Sequence, residues 1–209
     1  MTRDDLDTVE KQVSYLLGVN NVRQMLGQGI ELELEAFRVG AQTAFAEMQP
    51  LFNDEEAQAI FNGYQQTLQA KQQAAQAAAA GTNAAASQAF LAENAGKDGV
   101  TATASGLQYK VVTEGSGAKP TPANTVRVHY EGKLITGEVF DSSIARGEPT
   151  EFGLSQVISG WTEGLQLMSV GSTYELYIPA ELAYGANGPA SIGPNQALIF
   201  QVQLIDILN

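Results

Sequence analysis

Apolar residues recur along this chain with two different periods, and the change between them divides it. Val9, Val13, Leu16 and Leu17 fall three or four apart, the spacing of one helix face. They predict a first helix from Thr8 to about Leu26, ended by Gly27 and Gly29. A second is predicted from Glu33 to about Met48, with Leu34, Phe37, Ala41, Phe45 and Met48 on one stripe and Pro50 as its stop. A third starts after Asn53, which can cap it, with Glu56 completing a capping box. Its first half carries the stripe Ala57, Ile60, Phe61, Tyr64 and Leu68. Helix formers then continue from Lys71 through Ala80 towards Asn94, where Gly96 offers a C-cap. At about 1.5 Å per residue, roughly 40 residues would reach about 60 Å. Gly81, Thr82 and Asn83 are the weak point, where such a helix would kink or break.

Past residue 100 the period becomes two. Leu107 to Val112 alternates, and Val126, Val128 and Tyr130 point opposite to Arg127 and His129. Tyr174, Leu176 and Ile178 share one face of a strand, as do Leu198, Phe200, Val202 and Leu204. One helical segment interrupts them after Ser159, with Trp161, Leu165 and Met168 at helical spacing. An antiparallel sheet packed on one short helix is an α+β fold. The chain is therefore expected to be multi-domain: an all-α module over 1–52, a long connecting helix over 53–96, a linker over 97–104 and an α+β domain over 105–209.

Composition supports that division. Residues 51–119 contain no proline, and residues 120–209 hold six of the seven. Residues 70–89 contain 11 alanines, so the second half of the long helix has almost nothing large to bury before Phe90 and Leu91. It reads as a spacer, the alternative being a disordered low-complexity linker. The first 68 residues pose the opposite problem. They carry many large apolar side chains in a unit too small to bury them alone. A homodimer through residues 1–68 is expected, the start of the long helix being part of its core. The alternative is that these helices fold back on the C-terminal half.

Charge and rare residues narrow the chemistry. The formal net charge is −12, and such a surface repels phosphate backbones. Nucleic acid is not an expected partner. The absence of cysteine excludes disulfides, thiol catalysis and zinc-thiolate sites, and His129 is the single histidine. No metal or cofactor is expected. The N-terminus shows no apolar signal region and no apolar run is long enough for a bilayer, so the expected location is the cytoplasm without membrane insertion. The periplasm is the alternative if a signal peptide precedes the chain.

His129 alternates with Tyr130 and reads as an outer-face residue, not a triad base. Gly115-Ser-Gly-Ala-Lys119 lacks the pattern of a phosphate loop, and Pro120 follows where a helix would have to begin. The Asp4, Asp5, Asp7 cluster is a solvated helix start, and Glu31, Glu33 and Glu35 spread around a helix. Asp141 stands apart. It is either a turn-capping aspartate or the polar handle of an apolar pocket, because Tyr130, Phe140, Val157, Ile158 and Trp161 lie close by in the sequence.

Several blocks carry a resemblance: Val128-His-Tyr-Glu-Gly132, Gly137-Glu-Val-Phe-Asp-Ser-Ser143, Val157-Ile-Ser-Gly-Trp161, Met168-Ser-Val-Gly171, Ala183-Tyr-Gly185 and Leu198-Ile-Phe-Gln-Val202. In this order and spacing, residues 105–209 resemble an FKBP-type (macrolide-binding) peptidyl-prolyl cis-trans isomerase. The helical half is similar in plan to the bacterial Mip-like branch, a V-shaped dimer with one such domain per protomer. The resemblance implies a five- to six-stranded antiparallel sheet curled around a short helix, with the pocket between them. It implies catalytic roles for Asp141, Tyr184, Phe140 and Tyr130, and substrate binding by Val157, Ile158, Trp161, Ile192 and Phe200. Trp161 would form the floor, with Tyr184 and the Ile158 N–H as donors to substrate carbonyls. Implied partners are unfolded or partly folded proline-containing polypeptides, and macrolides such as tacrolimus or rapamycin. Thr150 departs from the pattern where a second wall aromatic is common, although Phe152 is near, and Gly193 departs where a proline pair is common. The expected function is acceleration of X–Pro isomerisation during folding, with chaperone activity from the helical dimer. The alternative is a non-catalytic chaperone or binding module.

Overall fold

The computed structural model describes residues 1–208; Asn209, the last residue of the expected C-terminal domain, lies outside them. The chain forms two compact units, residues 1–72 and the remainder from residue 73.

The first unit holds helices α1 (Val9–Gly27), α2 (Leu34–Phe45) and the beginning of α3 (Asp54–Asn94). Their starts are capped by side chains, which satisfy backbone N–H groups that have no partner inside the helix. Thr8 accepts from the Lys11 N–H at 3.3 Å, and Glu33 accepts from the Ala36 N–H at 2.7 Å. At α3 the expected capping box forms, with Asn53 and Glu56 bonded reciprocally at 2.9 Å. Helix α2 ends at Phe45, short of Met48, because Glu47 takes a left-handed conformation (φ 51°) that turns the chain. No residue of this unit is buried: Phe45 is 93% exposed and Leu51 83%.

Helix α3 runs unbroken through Gly81, the expected weak point. Its last turns are not a bare spacer. Within the second unit, Phe90 packs against Tyr177 with ring centroids 6.2 Å apart. Asn94, 2% exposed, donates to Gln108 Oε1 at 2.9 Å, and Gln108 Nε2 donates to the Leu91 carbonyl at 2.8 Å. The expected linker is also partly structured, since β1 (Val100–Ala102) pairs with β2 (Gln108–Thr113).

The sheet continues with β3 (Thr125–Leu134), β4 (Val139–Ser142), β5 (Thr150–Gly153), β6 (Thr173–Ile178) and β7 (Leu198–Ile207). Two short helices are inserted, α4 (Ser143–Arg146) after β4 and α5 (Ser159–Leu167) after β5. Among the described residues seven strands form one antiparallel sheet, more than the five to six expected, in the order β1-β2-β6-β7-β3-β4 with β5 also on β3. Strand β3 pairs with β7 on one side; on its other side β5 takes residues 125–128 and β4 takes 131–133.

Alternation along β3 buries Val126, Val128, Tyr130, Gly132 and Leu134. These face α5, whose Leu165 joins Leu176, Ile178, Leu198 and Leu204 in a core with no exposed area. Burying each such aliphatic side chain contributes about 1.5–3 kcal/mol. Close approach of α5 to the sheet requires glycine on its inner face. A Cβ on Gly160 would lie 2.4 Å from Ile178 Cγ2, and one on Gly164 would lie 2.8 Å from Leu176 Cδ1. Among the described residues no helix is long and apolar enough to cross a membrane.

Candidate active site

A cavity of about 280 Å³ opens in the second unit between α5 and the curled sheet. Its floor is Trp161, 4% exposed, in the first turn of α5. Leu154 and α5 are locked together by the Thr162 hydroxyl, which donates to the Leu154 carbonyl at 2.7 Å. Three rings meet the indole edge to face, Tyr130 and Phe200 at 5.2 Å and Phe152 at 5.3 Å. Each such aromatic pair adds about 0.5–1.5 kcal/mol beyond burial and fixes the rings against one another.

Phe140 closes the wall by meeting Phe200 edge to face at 5.5 Å. Its position depends on two backbone features. The β3–β4 register slips between Gly132 and Lys133, so Phe140 is the extra residue of a bulge and is re-aimed. Gly132 leaves the space it enters, since a Cβ there would lie 2.7 Å from Phe140 Cζ and 2.6 Å from Phe200 Cε1. The glycine of the Val128–Gly132 block thus makes room for the two rings of the pocket wall, Phe140 and Phe200.

Asp141 does not cap a turn; Ser142 does, accepting from the Ala145 N–H at 3.1 Å. The Asp141 carboxylate accepts from the Tyr130 hydroxyl at 2.5 Å and is paired with the Arg146 guanidinium. Arg146 also donates to Tyr130 Oη at 3.0 Å and lies over its ring, with Cζ 5.7 Å from the centroid. Burial disfavours the Asp141 carboxylate, but the bonds from Tyr130 and Arg146 outweigh it and hold its pKa below the usual carboxylate value. Burial, reinforced by the bond to Asp141, pushes the Tyr130 phenol up. The cluster therefore stays in one protonation state around neutral pH, with Tyr130 neutral and Asp141 charged. Arg146 escaped the sequence reading. Its only signal is its place five residues after Asp141, at the end of the short helix that Ser142 caps.

Val157, Ile158 and Tyr184 complete the rim, with Gln156 beside them. Among the described residues the Tyr184 hydroxyl and the Ile158 N–H donate to no protein group, which leaves both free for a ligand. Ile192 was expected in the lining and is not there. It is 6% exposed and packs in the same hydrophobic core that holds Trp161 and Phe200. Phe152 supplies the wall aromatic that Thr150 lacks: two residues along β5, it stands on the same face of that strand. His129 is half-buried, within 3.2 Å of Ser143 Oγ, and Ser143 also accepts from the Tyr130 N–H at 2.8 Å. These bonds seat α4 on β3 and place no base near the cavity.

The sequence and the fold both match known proteins. Residues 116–205 match the family model described as FKBP-type peptidyl-prolyl cis-trans isomerase. Residues 10–111 match the one described as the domain amino terminal to it. The chain is 45% identical to the FKBP-type 22 kDa peptidyl-prolyl cis-trans isomerase of Escherichia coli K12, over all of both chains. It is also 45% identical to the probable FKBP-type peptidyl-prolyl cis-trans isomerase FkpA of Neisseria meningitidis serogroup B, over 94% of this chain and 74% of that one. The crystal structure of FkpA from Escherichia coli superposes with a TM-score of 0.79 at 36% identity, covering 96% of this chain and 97% of that one. The chain belongs to the FKBP-type peptidyl-prolyl cis-trans isomerases. It is an isomerase of X–Pro peptide bonds, with an amino-terminal helical domain of the kind its relatives carry, and the non-catalytic alternative is set aside.

Proposed function

We propose that the cavity over Trp161 is where the X–Pro bond turns. The observation that carries this is an apolar, ring-walled cavity with two unpaired donors at its rim, Tyr184 Oη and Ile158 N–H. Rotation about a peptide bond meets a barrier of about 18–20 kcal/mol because resonance is lost. No bond is made or cleaved, so a nucleophile has no role. In the twisted amide the carbonyl carries less negative charge than in the planar form, and an apolar wall favours it over the well-hydrated ground state. That is differential binding of the transition state. The prolyl ring rests on Trp161 between Phe140, Tyr130 and Phe200, while Tyr184 and Ile158 hold flanking carbonyls. Asp141 acts through Tyr130, whose ring it orients.

A protease-coupled assay on an X–Pro peptide tests this reading. Residues 73–209, which retain the docked turns of α3 and β1, are expected to turn over the peptide about as fast as the whole chain. Absence of turnover in both would sink it. A fragment beginning at residue 105 is a poorer test, because it exposes the β2 and β6 surfaces that α3 covers.

The helical unit supports a second proposal, a homodimer through residues 1–68. In the unit of residues 1–72 no residue is buried, and Leu34, Phe45, Leu51 and Phe61 are each more than half exposed. A second copy covers them, and two isomerase domains on one dimer would raise the effective concentration of prolines in an unfolded client. Light scattering at micromolar concentration is expected to give twice the 22.2 kDa of one chain. Phe45→Glu with Leu51→Glu should return it to one, and a monomeric wild type refutes the proposal. Unfolded proline-containing chains are the proposed clients and macrolides the proposed inhibitors, both from the apolar cavity. The cytoplasmic placement gains no support from the relatives. One of them, 42% identical over 97% of this chain and 87% of its own, is the Outer membrane protein MIP of Legionella longbeachae. We therefore favour the alternative placement outside the cytoplasm, which cell fractionation checks.

A further inference from the structure

The loop Gly185–Pro194 begins next to Tyr184 at the pocket rim, and its ends are tied together by the Asn195 N–H, which donates to the Gly185 carbonyl at 2.8 Å. Its far end is held by helix α3. Asn83 Nδ2 donates to the Pro194 carbonyl at 2.8 Å. The Ser87 hydroxyl donates to the Asn195 carbonyl at 3.1 Å and accepts from the Ala197 N–H at 2.8 Å. Asn195, in a left-handed conformation (φ 53°), donates from Nδ2 to the Ala80 carbonyl at 3.3 Å. Ser87 is buried, and Asn83 and Ala80 are half-buried, on one face of the helix at spacings of three and four. In a stretch made mostly of alanine and glutamine, the residues bonded to this loop include the two polar side chains on that face.

We propose that Asn83 and Ser87 are positioning residues for the isomerase pocket. They hold the root of the Gly185–Pro194 loop and, through the Asn195–Gly185 bond, keep Tyr184 at the rim before substrate arrives. This rests on the reading of the Trp161 cavity as the active site. Without the two side chains, the carbonyls of Pro194 and Asn195 and the N–H of Ala197 lose their partners. The loop then has to be ordered by the substrate itself, a cost that falls on binding and raises KM.

The test uses the whole chain with an X–Pro tetrapeptide, in Asn83→Ala, Ser87→Ala, Asn94→Ala and Phe140→Ala. Asn94 docks the same helix through Gln108, away from the loop, and so controls for loosening of α3. For Asn83→Ala and Ser87→Ala, KM is expected to rise roughly 3- to 10-fold with kcat within about twofold of wild type. Asn94→Ala should leave KM unchanged. Trp161 is the single tryptophan, so its emission titrated with the same peptide should report the same fall in affinity. If Ser87→Ala fails to fold, Asn83→Ala, whose lost bond is at the edge of the contact, decides alone. Unchanged KM in Asn83→Ala, or an equal rise in Asn94→Ala, overturns the inference. Full turnover in Phe140→Ala instead overturns the pocket reading beneath it, so the two failures are distinct.

Discussion

Replacing Phe140 with alanine is expected to lower kcat/KM on an X–Pro peptide by roughly 30- to 100-fold, an effect of about 2–3 kcal/mol on the transition state. Phe140 meets Phe200 edge to face and closes the cavity wall at the bulge in β4. On the proposed reading of the cavity, truncation would remove wall area that the twisted amide needs and admit water beside the carbonyl, which favours the planar ground state. The Phe200 ring also loses its support and tilts. Asp141→Ala is expected to lower kcat/KM by roughly 10-fold, for a different reason: the Tyr130 phenol loses its acceptor and Arg146 its counterion, so the ring that faces Trp161 is less firmly held. Asp141→Asn, which keeps an acceptor for Tyr130, is expected to fall between Asp141→Ala and wild type. A protease-coupled assay with purified, folded variants checks all three. Wild-type rates in both Phe140→Ala and Asp141→Ala would remove the cavity from consideration.

The second large effect is on stability. Gly160→Ala places a methyl group 2.4 Å from Ile178 Cγ2, where neither the helix backbone nor the fully buried Ile178 has room to give. Overpacking of this kind costs about 1–3 kcal/mol, and the upper end is expected here. The neighbouring residue is Trp161, so a shift of α5 off the sheet also moves the pocket floor and lowers kcat/KM. Gly81→Ala is the contrast. It lies mid-helix in α3 with nothing within 4 Å of its Cβ, and it should stabilise that helix by up to about 1 kcal/mol. Urea denaturation followed at the Trp161 signal and by circular dichroism separates the two. An unchanged midpoint in Gly160→Ala would mean that α5 does not sit as closely on β6 as described.

Much of the fold was legible because it rests on periodicity. The three-to-four spacing of Val9 to Leu17 and the alternation of Val126, Val128 and Tyr130 each report the period of an element, and α1 and β3 appear where those patterns lie, with the dry face of β3 the one the alternation gives. The Asn53–Glu56 capping box was legible for a similar reason, since both partners lie within one turn. Strand β1 was not legible. Three residues, Val-Thr-Ala, are too short to show a period, and they pair only because β2 is adjacent in space. The docked half of α3 was also hidden, because it is held by hydrogen bonds from Asn83, Ser87 and Asn94, and polar contacts leave no apolar stripe.

The site divides along the same line. Sequence alone determined the residue types of the pocket, a set of aromatic and aliphatic side chains with one carboxylate, because local blocks carry those identities. It also determined the type and order of most elements, which depend on interactions within about one turn or one strand. Tertiary structure decided what Asp141 faces; it brought Arg146 to Asp141, Gly132 against Phe140 and Phe152 into the lining, and left Ile192 out of that lining. The physical reason is that these outcomes depend on distances between elements far apart in the chain. The bulge that aims Phe140 arises only when β4 pairs with β3, and the partners of Ser87 come from residues more than a hundred positions away.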